Sequence, residues 1–338
     1  MKSIFIKLIL TLAVLTITVT AGLVLYGFNQ FNKLSGNNDA RFIVIEKGMG
    51  TFQIATLLAD QSIIDDPYVF TIASKIISPD VSLKAGEYEF KPQTRMEDTI
   101  LKLKRGDVYK RFVTIPEGLT SFEIIERLKS TPDVAWQETP IPPEGSLLPD
   151  TYQIKKGESV TSLISRMKTA RDQVLEEAWN TRMPDLPISS KEEAVILASL
   201  IEKETGVPSE RQRIAGVFIN RLRLGMPLQT DPTVIYAITK GQHQNDGKGP
   251  LGRRLLLKDL QIDSPYNTYK VIGLPPTPIA NAGRDSIKAA LNPESHDYIF
   301  FVADGTGGHA FAKTLSEHNQ NVAKWRVIRK TEENSEKD

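Results

Sequence analysis

The sequence predicts an α+β protein: an N-terminal transmembrane helix, duplicated small α+β units, and then a mixed α+β domain. Three observations carry this reading. Leu8 to Phe28 runs 21 residues without a charge, long enough to cross a hydrocarbon core as a helix. FIVIEKGMGTFQIATLL at Phe42–Leu58 lines up without gaps against FVTIPEGLTSFEIIERL at Phe112–Leu128. From Glu192 onward the texture changes to long apolar helical patterns, followed by a turn-rich region with short strands.

The N-terminal element sets the compartment. Lys2, Lys7 and the amino terminus precede the apolar run, and the next charge after it is Lys33. This asymmetry predicts a cytoplasmic N-terminus over residues 1–7, a span over 8–28 and an exported body. Tyr26, Phe28 and Phe31 are expected near the outer interface as aromatic anchors. A signal peptide cleaved near Ala21 is the alternative, but its apolar region would exceed the 7–15 residues typical of such signals. Residues 29–40 (NQFNKLSGNNDA) are polar and rich in Gly and Asn, as in a linker.

The two related units follow, over residues 41–110 and 111–185. Each begins with a strand signal (Phe42, Val44 and Ile45 in the first), a glycine turn at Gly48–Gly50, and a helical pattern through Ile54, Leu57 and Leu58. Phe42/Phe112, Ile45/Ile115, Gly48/Gly118, Phe52/Phe122, Ile54/Ile124 and Leu58/Leu128 are identical pairs, expected at core and turn positions of a duplicated strand–turn–helix. Glu87–Lys104 and Thr151–Lys168 echo each other in the same way.

Residues 186–330 form the last domain. A helical pattern over Glu192–Thr205 (EEAVILASLIEKET) is ended by Gly206 and Val207-Pro208. Ser209 with Gln212 three residues on has capping-box spacing for a second helix, whose stripe is Ile214, Val217, Phe218 and Leu222 and which stops at Gly225. A strand is expected at Tyr298–Val302 before a turn at Asp304–His309, and residues 331–338 read as a charged, frayed tail.

Composition narrows the chemistry. The 338 residues hold 42 basic and 41 acidic side chains, net +1, so no basic field recruits nucleic acid. At 40% hydrophobic and 25% charged the chain reads as globular. The absence of cysteine excludes disulfides, thiolate nucleophiles, iron–sulfur clusters and cysteine zinc sites. His243, His296, His309 and His318 have no HExxH spacing, so no metal is expected. There is no GxSxG elbow. Gly305–Gly308 lacks the GK[ST] ending of a phosphate loop, and Ser165–Lys168 fits SxxK without a companion KTG.

What remains is a pair of carboxylates. The Glu192–Thr205 helix is apolar almost all round and should be buried, yet it ends in Glu202 and Glu204. At 100° per residue these two point about 160° apart, so one cleft cannot readily use both. Glu204 lies within about 60° of Leu197, Leu200 and Ile201, the bulkier face. Burial there raises a carboxyl pKa, the tuning a general acid needs near neutral pH. On geometry alone, both glutamates are equally consistent with decorating an exposed helix end, with Glu202 paired to a lysine.

LASLIEKET at Leu197–Thr205, VFINRLRLGMPLQTDPTVIY at Val217–Tyr236, SPYNTY at Ser264–Tyr269, GLPPTPIANAG at Gly273–Gly283, FVADGTGGHAF at Phe301–Phe311 and EGSLLPDTY at Glu144–Tyr152 together resemble the endolytic murein transglycosylase family, also called YceG-like. The resemblance covers essentially the whole chain. It implies LysM-like character for the duplicated units and a catalytic transglycosylase domain over 186–330. The implied activity is cleavage of the bond between N-acetylmuramic acid and N-acetylglucosamine within glycan strands, leaving 1,6-anhydromuramyl ends without a cofactor. Glu204-Thr205 is similar to the Glu-Ser pair of other lytic transglycosylases, which makes Glu204 the implied catalytic residue. The expected partners are peptidoglycan glycan strands and, through the family alone, peptidoglycan synthases (penicillin-binding proteins); the expected location is the cell inner (cytoplasmic) membrane.

Ser146, Leu148 and Ala282 depart from the residues more common in the family. Gln229, Thr230 and Asp231 are candidates to bond sugar hydroxyls or acetamides, with Tyr266, Asn267 and Tyr269 as a stacking or polar wall. Each has a structural alternative: Asp231-Pro232 as a turn, Asn267 bonding backbone, Tyr266 filling core. Arg221 either holds the surroundings of Glu204 or sits on a helix surface. The competing function is a non-catalytic peptidoglycan-binding scaffold.

Overall fold

The computed structural model describes residues 2–77, 79–242 and 250–335, and the chain divides into two compact units, residues 1–110 and 111–338. The first begins with α1 (Lys2–Asn32), in which the span Ile4–Asn32 has no side chain buried within the protein over its most apolar window. Three of its threonines bond within the helix: the hydroxyls of Thr11, Thr16 and Thr18 each donate to the carbonyl four residues earlier. An apolar exterior with an internally bonded backbone is what a bilayer requires of a helix.

The chain after α1 does not hang free. Ser35 N donates to Thr94 O at 2.9 Å, Gly36 N to Ser62 O at 2.9 Å, and the buried Asn37 amide to Phe90 O at 3.2 Å. The stretch read as a linker is thus bonded onto unit 1 at residues 35–37, because its Ser and Asn side chains find backbone partners. β1 (Arg41–Ile45) leads into α2 (Thr51–Asp60) and α3 (Pro67–Ile77). β2 (Gly86–Phe90) then pairs antiparallel with β1, Ile43 opposite Tyr88, and α4 (Met96–Arg105) closes the unit. Strand alternation sends Ile43, Ile45, Tyr88 and Phe90 inward onto Ile54, Leu58, Phe70, Ile100 and Leu103. α4 stops at Gly106, whose φ of 77° suits glycine.

Unit 2 opens with β3 (Arg111–Thr114), α5 (Ser121–Lys129) and β4 (Val134–Ala135). β5 (Thr151–Ile154) pairs antiparallel with β3, and β6 (Glu158–Ser159) pairs parallel with β4 before α6 (Val160–Asn180). Thr120 and Glu123 form a reciprocal capping box on α5. The same period-two rule corrects an expectation in both units. Phe42, Val44 and Phe112 are 43%, 51% and 57% exposed, and Phe52 is 44% exposed, so the repeated phenylalanines are not core. The inward residues are Ile43, Ile45 and Val113, one position along each strand.

α7 (Lys191–Glu204) is the axis of unit 2. Ser190 caps it by accepting Glu193 N, and Ala194 through Ile201 are all buried. Around it lie α6, α8 (Arg211–Arg223), α9 (Asp231–Thr239) and α10 (Arg284–Leu291). Their shared core includes Leu197, Leu200, Ile201, Ile214, Phe218 and Ile287, and Leu148 joins it. Val217 is buried and Leu222 packs partly against the core. Ser209 does not cap α8: Pro208 starts a short 3₁₀ turn over Pro208–Glu210, and α8 begins only at Arg211. The fixed φ of proline initiates the turn one residue before the expected cap. A hairpin of β7 (Phe300–Ala303) and β8 (His309–Ala312) leads to α11 (Leu315–Ser335). The helix thus continues to Ser335 through part of the stretch expected to fray, while 336–338, like His243, lie outside the described residues.

Asn281 ties the two halves of unit 2 together. It is fully buried, its Oδ1 accepts Leu147 N at 3.0 Å, and its amide donates to Leu119 O at 3.2 Å and Ser121 Oγ at 3.1 Å. Its backbone adds Asn281 N to Leu119 O at 2.9 Å and Gly118 N to Asn281 O at 3.0 Å. Residues 111–185 and 186–330 thus fall within one compact body. Asn281→Ala strands the buried Leu147 N–H, and a loss of about 2–3 kcal/mol is expected in urea unfolding of the full chain in detergent.

Candidate active site

In the last turn of α7 Lys203 is exposed, whereas the two glutamate side chains turn into the protein and meet different surroundings there. Glu202 has a side chain only 5% exposed; its Oε2 accepts Gly283 N at 2.9 Å and its Oε1 lies 3.7 Å from Arg211. Arg211, itself buried, also binds Glu117 at 2.9 Å. Glu202 is therefore neutralised by an arginine, not the lysine envisaged for an exposed helix end, and by a backbone donor. It holds segments together.

Glu204 faces the opposite way and is left with far less. Its Oε1 accepts one hydrogen bond, from the Thr230 hydroxyl. The residue is half-buried, yet its carboxyl is enclosed deeply enough that desolvation raises its pKa to about 7. The Thr230 bond pulls it down, Asp231 pushes it up, and His309 and Arg221 pull it down more weakly. A carboxyl poised there is protonated and ionised in comparable amounts at neutral pH, so it can give a proton and take one back. Thr205, next in the chain, ends α7 and turns its buried hydroxyl to accept Val207 N at 2.9 Å, which fixes the exit from the helix.

The segment facing Glu204 is strung on a second loop by backbone bonds. Gln229 N donates to Thr268 O at 3.0 Å, and Thr230 N donates to Thr268 Oγ1 at 3.1 Å. Thr268 Oγ1 also shares a hydrogen bond with Thr233 Oγ1 at 2.9 Å. Gln229 takes a φ of 52°, the left-handed region, as the chain turns into α9. Asp231 is not a free turn; it opens α9 and accepts the Tyr269 hydroxyl at 2.6 Å. Burial and that carboxylate both hold the Tyr269 hydroxyl protonated.

Arg221 is 7% exposed, which rules out the helix-surface alternative. Its guanidinium donates to Ile299 O at 2.6 Å, Leu228 O at 2.9 Å, Pro227 O at 3.2 Å and Gln229 Oε1 at 3.5 Å. It braces the start of the 229–231 segment and places a positive charge near Glu204.

Of the candidate residues, Thr230 is bonded to Glu204, Asp231 acts on it through its charge, and Gln229, next to Thr230 in the chain, is bonded to Thr268 and Arg221. Asn267 and Tyr266 are not seen bonded to Glu204. Asn267 has no exposed surface: its amide donates to Leu260 O at 2.9 Å and Ile262 O at 2.8 Å, and its Oδ1 accepts Tyr269 N at 3.1 Å. This is the backbone-bonding alternative, and it shapes the loop that carries Thr268 and Tyr269. Tyr266 stands apart, its hydroxyl 2.7 Å from Thr277 Oγ1 and its ring 5.0 Å from Tyr236, with Lys240 over its face.

Sequence reasoning missed Thr268 and the Glu210–His309 pair. Glu210 accepts His309 N at 2.9 Å, and its Oε2 lies 2.7 Å from His309 Nδ1. His309 was visible within a quoted motif, but no spacing rule connects residues 99 positions apart. Among the described residues no group of three His, Asp or Glu side chains is arranged to hold a metal ion.

Comparison with known proteins gives a consistent picture. The profile of the YceG-like family matches residues 43–324. A Bacillus subtilis protein named endolytic murein transglycosylase is 33% identical over 91% of each chain. A Streptococcus pneumoniae protein of the same name is 30% identical over 82% of this chain and 57% of its own length. A crystal structure of a yceG-like protein from Listeria monocytogenes is 32% identical, covers 84% of this chain and 99% of its own, and superposes with a TM-score of 0.50. With most of its length matched by the profile and by these relatives, the chain belongs to the YceG-like family.

Proposed function

We propose that this protein is a membrane-anchored endolytic murein transglycosylase, with Glu204 as its acid and then its base. The supporting observation is the Glu204 carboxyl itself: enclosed, tuned to about 7, and held on one oxygen by Thr230. A glycosidase of the usual kind needs two carboxyl groups flanking the scissile bond. Glu202, the other acid at the end of α7, is committed to Arg211 and Gly283 N.

One carboxyl suffices if the substrate brings its own nucleophile. Protonated Glu204 gives its proton to the departing glycosidic oxygen as the bond from that oxygen to C1 of the muramyl residue breaks. The carboxylate so formed takes the proton of the muramyl 6-hydroxyl while that oxygen bonds to C1. A 1,6-anhydromuramyl end and a new N-acetylglucosamine 4-hydroxyl result, with Glu204 returned to its starting state. Ring closure is intramolecular, so proximity replaces an activated water.

Gln229 and Asp231 are proposed to bond sugar hydroxyls or acetamides, and Tyr269 and Tyr266 to wall the cleft. Thr230 orients the acid. The two small units over 41–110 and 111–185 are read as related LysM-like units that bind glycan. The body is read as extracytoplasmic, anchored in the cytoplasmic membrane with residues 1–7 inside. Peptidoglycan synthases are the proposed protein partners, since the anchor keeps the enzyme where strands are made.

Purified peptidoglycan digested by the full chain in detergent should show anhydromuramyl ends by mass spectrometry. Glu204→Gln should bind strands equally but release ends about 10²–10⁴-fold more slowly. Equal rates in the two proteins would remove Glu204 from the mechanism, and strand binding without product from either would favour the scaffold.

The first step needs the protonated acid, so kcat/KM should fall as pH rises through about 7. Thr230→Val removes a donor that favours the ionised form. Its alkaline limb should therefore move upward, by about one pH unit.

A further inference from the structure

α3 is an apolar helix that the reaction does not use. It buries Phe70 and Ser74 in unit 1. Its opposite face carries Tyr68, Ile72 and Ile76, spaced four residues apart and 69%, 60% and 74% exposed. Three large apolar side chains in one row are costly to leave in water, and such patches mark contact surfaces.

The row lies against α1. A groove of about 670 Å³ runs between the two helices, lined by Leu23, Val24 and Gly27 on one side and Val69, Ile72 and Ile76 on the other. The relation is fixed by specific contacts. The Tyr26 hydroxyl donates to Asp66 Oδ2 at 2.9 Å just before α3, Lys33 pairs with Asp65, and Phe31 packs on the core of the unit. Together with the docked 35–37 segment, these contacts join the membrane helix to the rest of unit 1.

This geometry places α3 at bilayer depth. The apolar run ends at Phe28, before Asn29 and Gln30, and at 1.5 Å per residue Leu23 lies about 7–8 Å below that end. Interfacial helices bury their apolar faces about 5–10 Å into the headgroup and acyl boundary. Phe52, 44% exposed and 5.1 Å from the Tyr68 ring, widens the patch with a second aromatic, the residue type enriched at headgroup level. Lys75, the single charge within α3, is exposed on its last turn, where a long stem lets the ammonium reach the headgroups.

We propose that α3 is an interfacial helix whose Tyr68–Ile72–Ile76 face lies in the lipid of the same bilayer that α1 crosses, seating unit 1 on the membrane surface rather than holding it off on a tether. Lipid is the occupant because the apolar face is continuous with the lipid-facing surface of α1. The inference rests on the reading of α1 as a membrane anchor.

The cysteine-free chain allows a direct test. Leu23→Cys, Ile72→Cys and Ile76→Cys variants of the full chain are labelled with bimane. They are reconstituted in phosphatidylethanolamine–phosphatidylglycerol vesicles, with and without lipid carrying a nitroxide at acyl carbon 5. All three labelled positions are exposed, so the fold should be kept, as circular dichroism will check. Positions 72 and 76 should each be quenched at least half as strongly as position 23. Quenching at 23 with less than half of it at either α3 position overturns the proposal, assigns the groove to a protein partner or second copy, and leaves the anchor standing. Absence of quenching at 23 overturns the anchor and the proposal together.

Discussion

Burial of α7 on every side is the constraint from which the rest of unit 2 follows. Eight consecutive residues, Ala194 to Ile201, are shut away from water, and in the last turn Lys203 is exposed while the two glutamates turn into the protein. Those two side chains must be solvated largely by protein. Charged groups removed from water need partners or change their ionisation, and the two glutamates illustrate the two outcomes. Glu202 receives a guanidinium and a backbone N–H. Glu204 receives one hydroxyl, and the deficit appears as a pKa raised to about 7. The raised pKa at this helix end arises from withheld solvation, with the same side-chain chemistry at both positions.

A half-solvated acid is useful only if its neighbours hold still. The 229–231 segment carries few contacts of its own that would fix it, and borrows its geometry from the loop over 260–269. Asn267 folds that loop on itself, Thr268 passes the shape to residues 229 and 230, and Arg221 clamps the carbonyls of Pro227 and Leu228. Buried residues thus decide where the groups beside the acid stand, which is the support that a preorganised site requires. Asn281 performs the equivalent service at larger scale, joining Gly118, Leu119, Ser121 and Leu147 to the helical core.

In unit 1 the governing term is hydrophobic rather than electrostatic. A membrane helix followed by a polar segment would ordinarily act as a rod and a leash. Here the Ser35, Gly36 and Asn37 contacts occupy the start of that segment, and the Tyr26–Asp66 bond joins α1 to the start of α3. The apolar rows of the two helices then face one groove, so the bilayer becomes a solvent for part of the unit as well as for its anchor.

Features set by short-range rules are legible in the sequence itself. The apolar run of α1 follows from composition, the burial of α7 from the apolar residues around its whole circumference, and its N-terminus lies within a residue of the one expected. The divergence of Glu202 and Glu204 follows from 100° per residue. Where a short-range rule competed with another, the reading slipped: the strand phase was set by Ile43, Ile45 and Val113 against the more conspicuous phenylalanines, and Pro208 displaced the Ser209 cap. The Thr230 hydroxyl on Glu204, 26 residues away, Arg221 turned inward, Asn267 spent on backbone, and the Glu210–His309 pair were decided by tertiary structure. The physical reason is that a sequence states which polar groups must find partners, whereas only the path of the folded chain decides which partners come within about 3 Å of them.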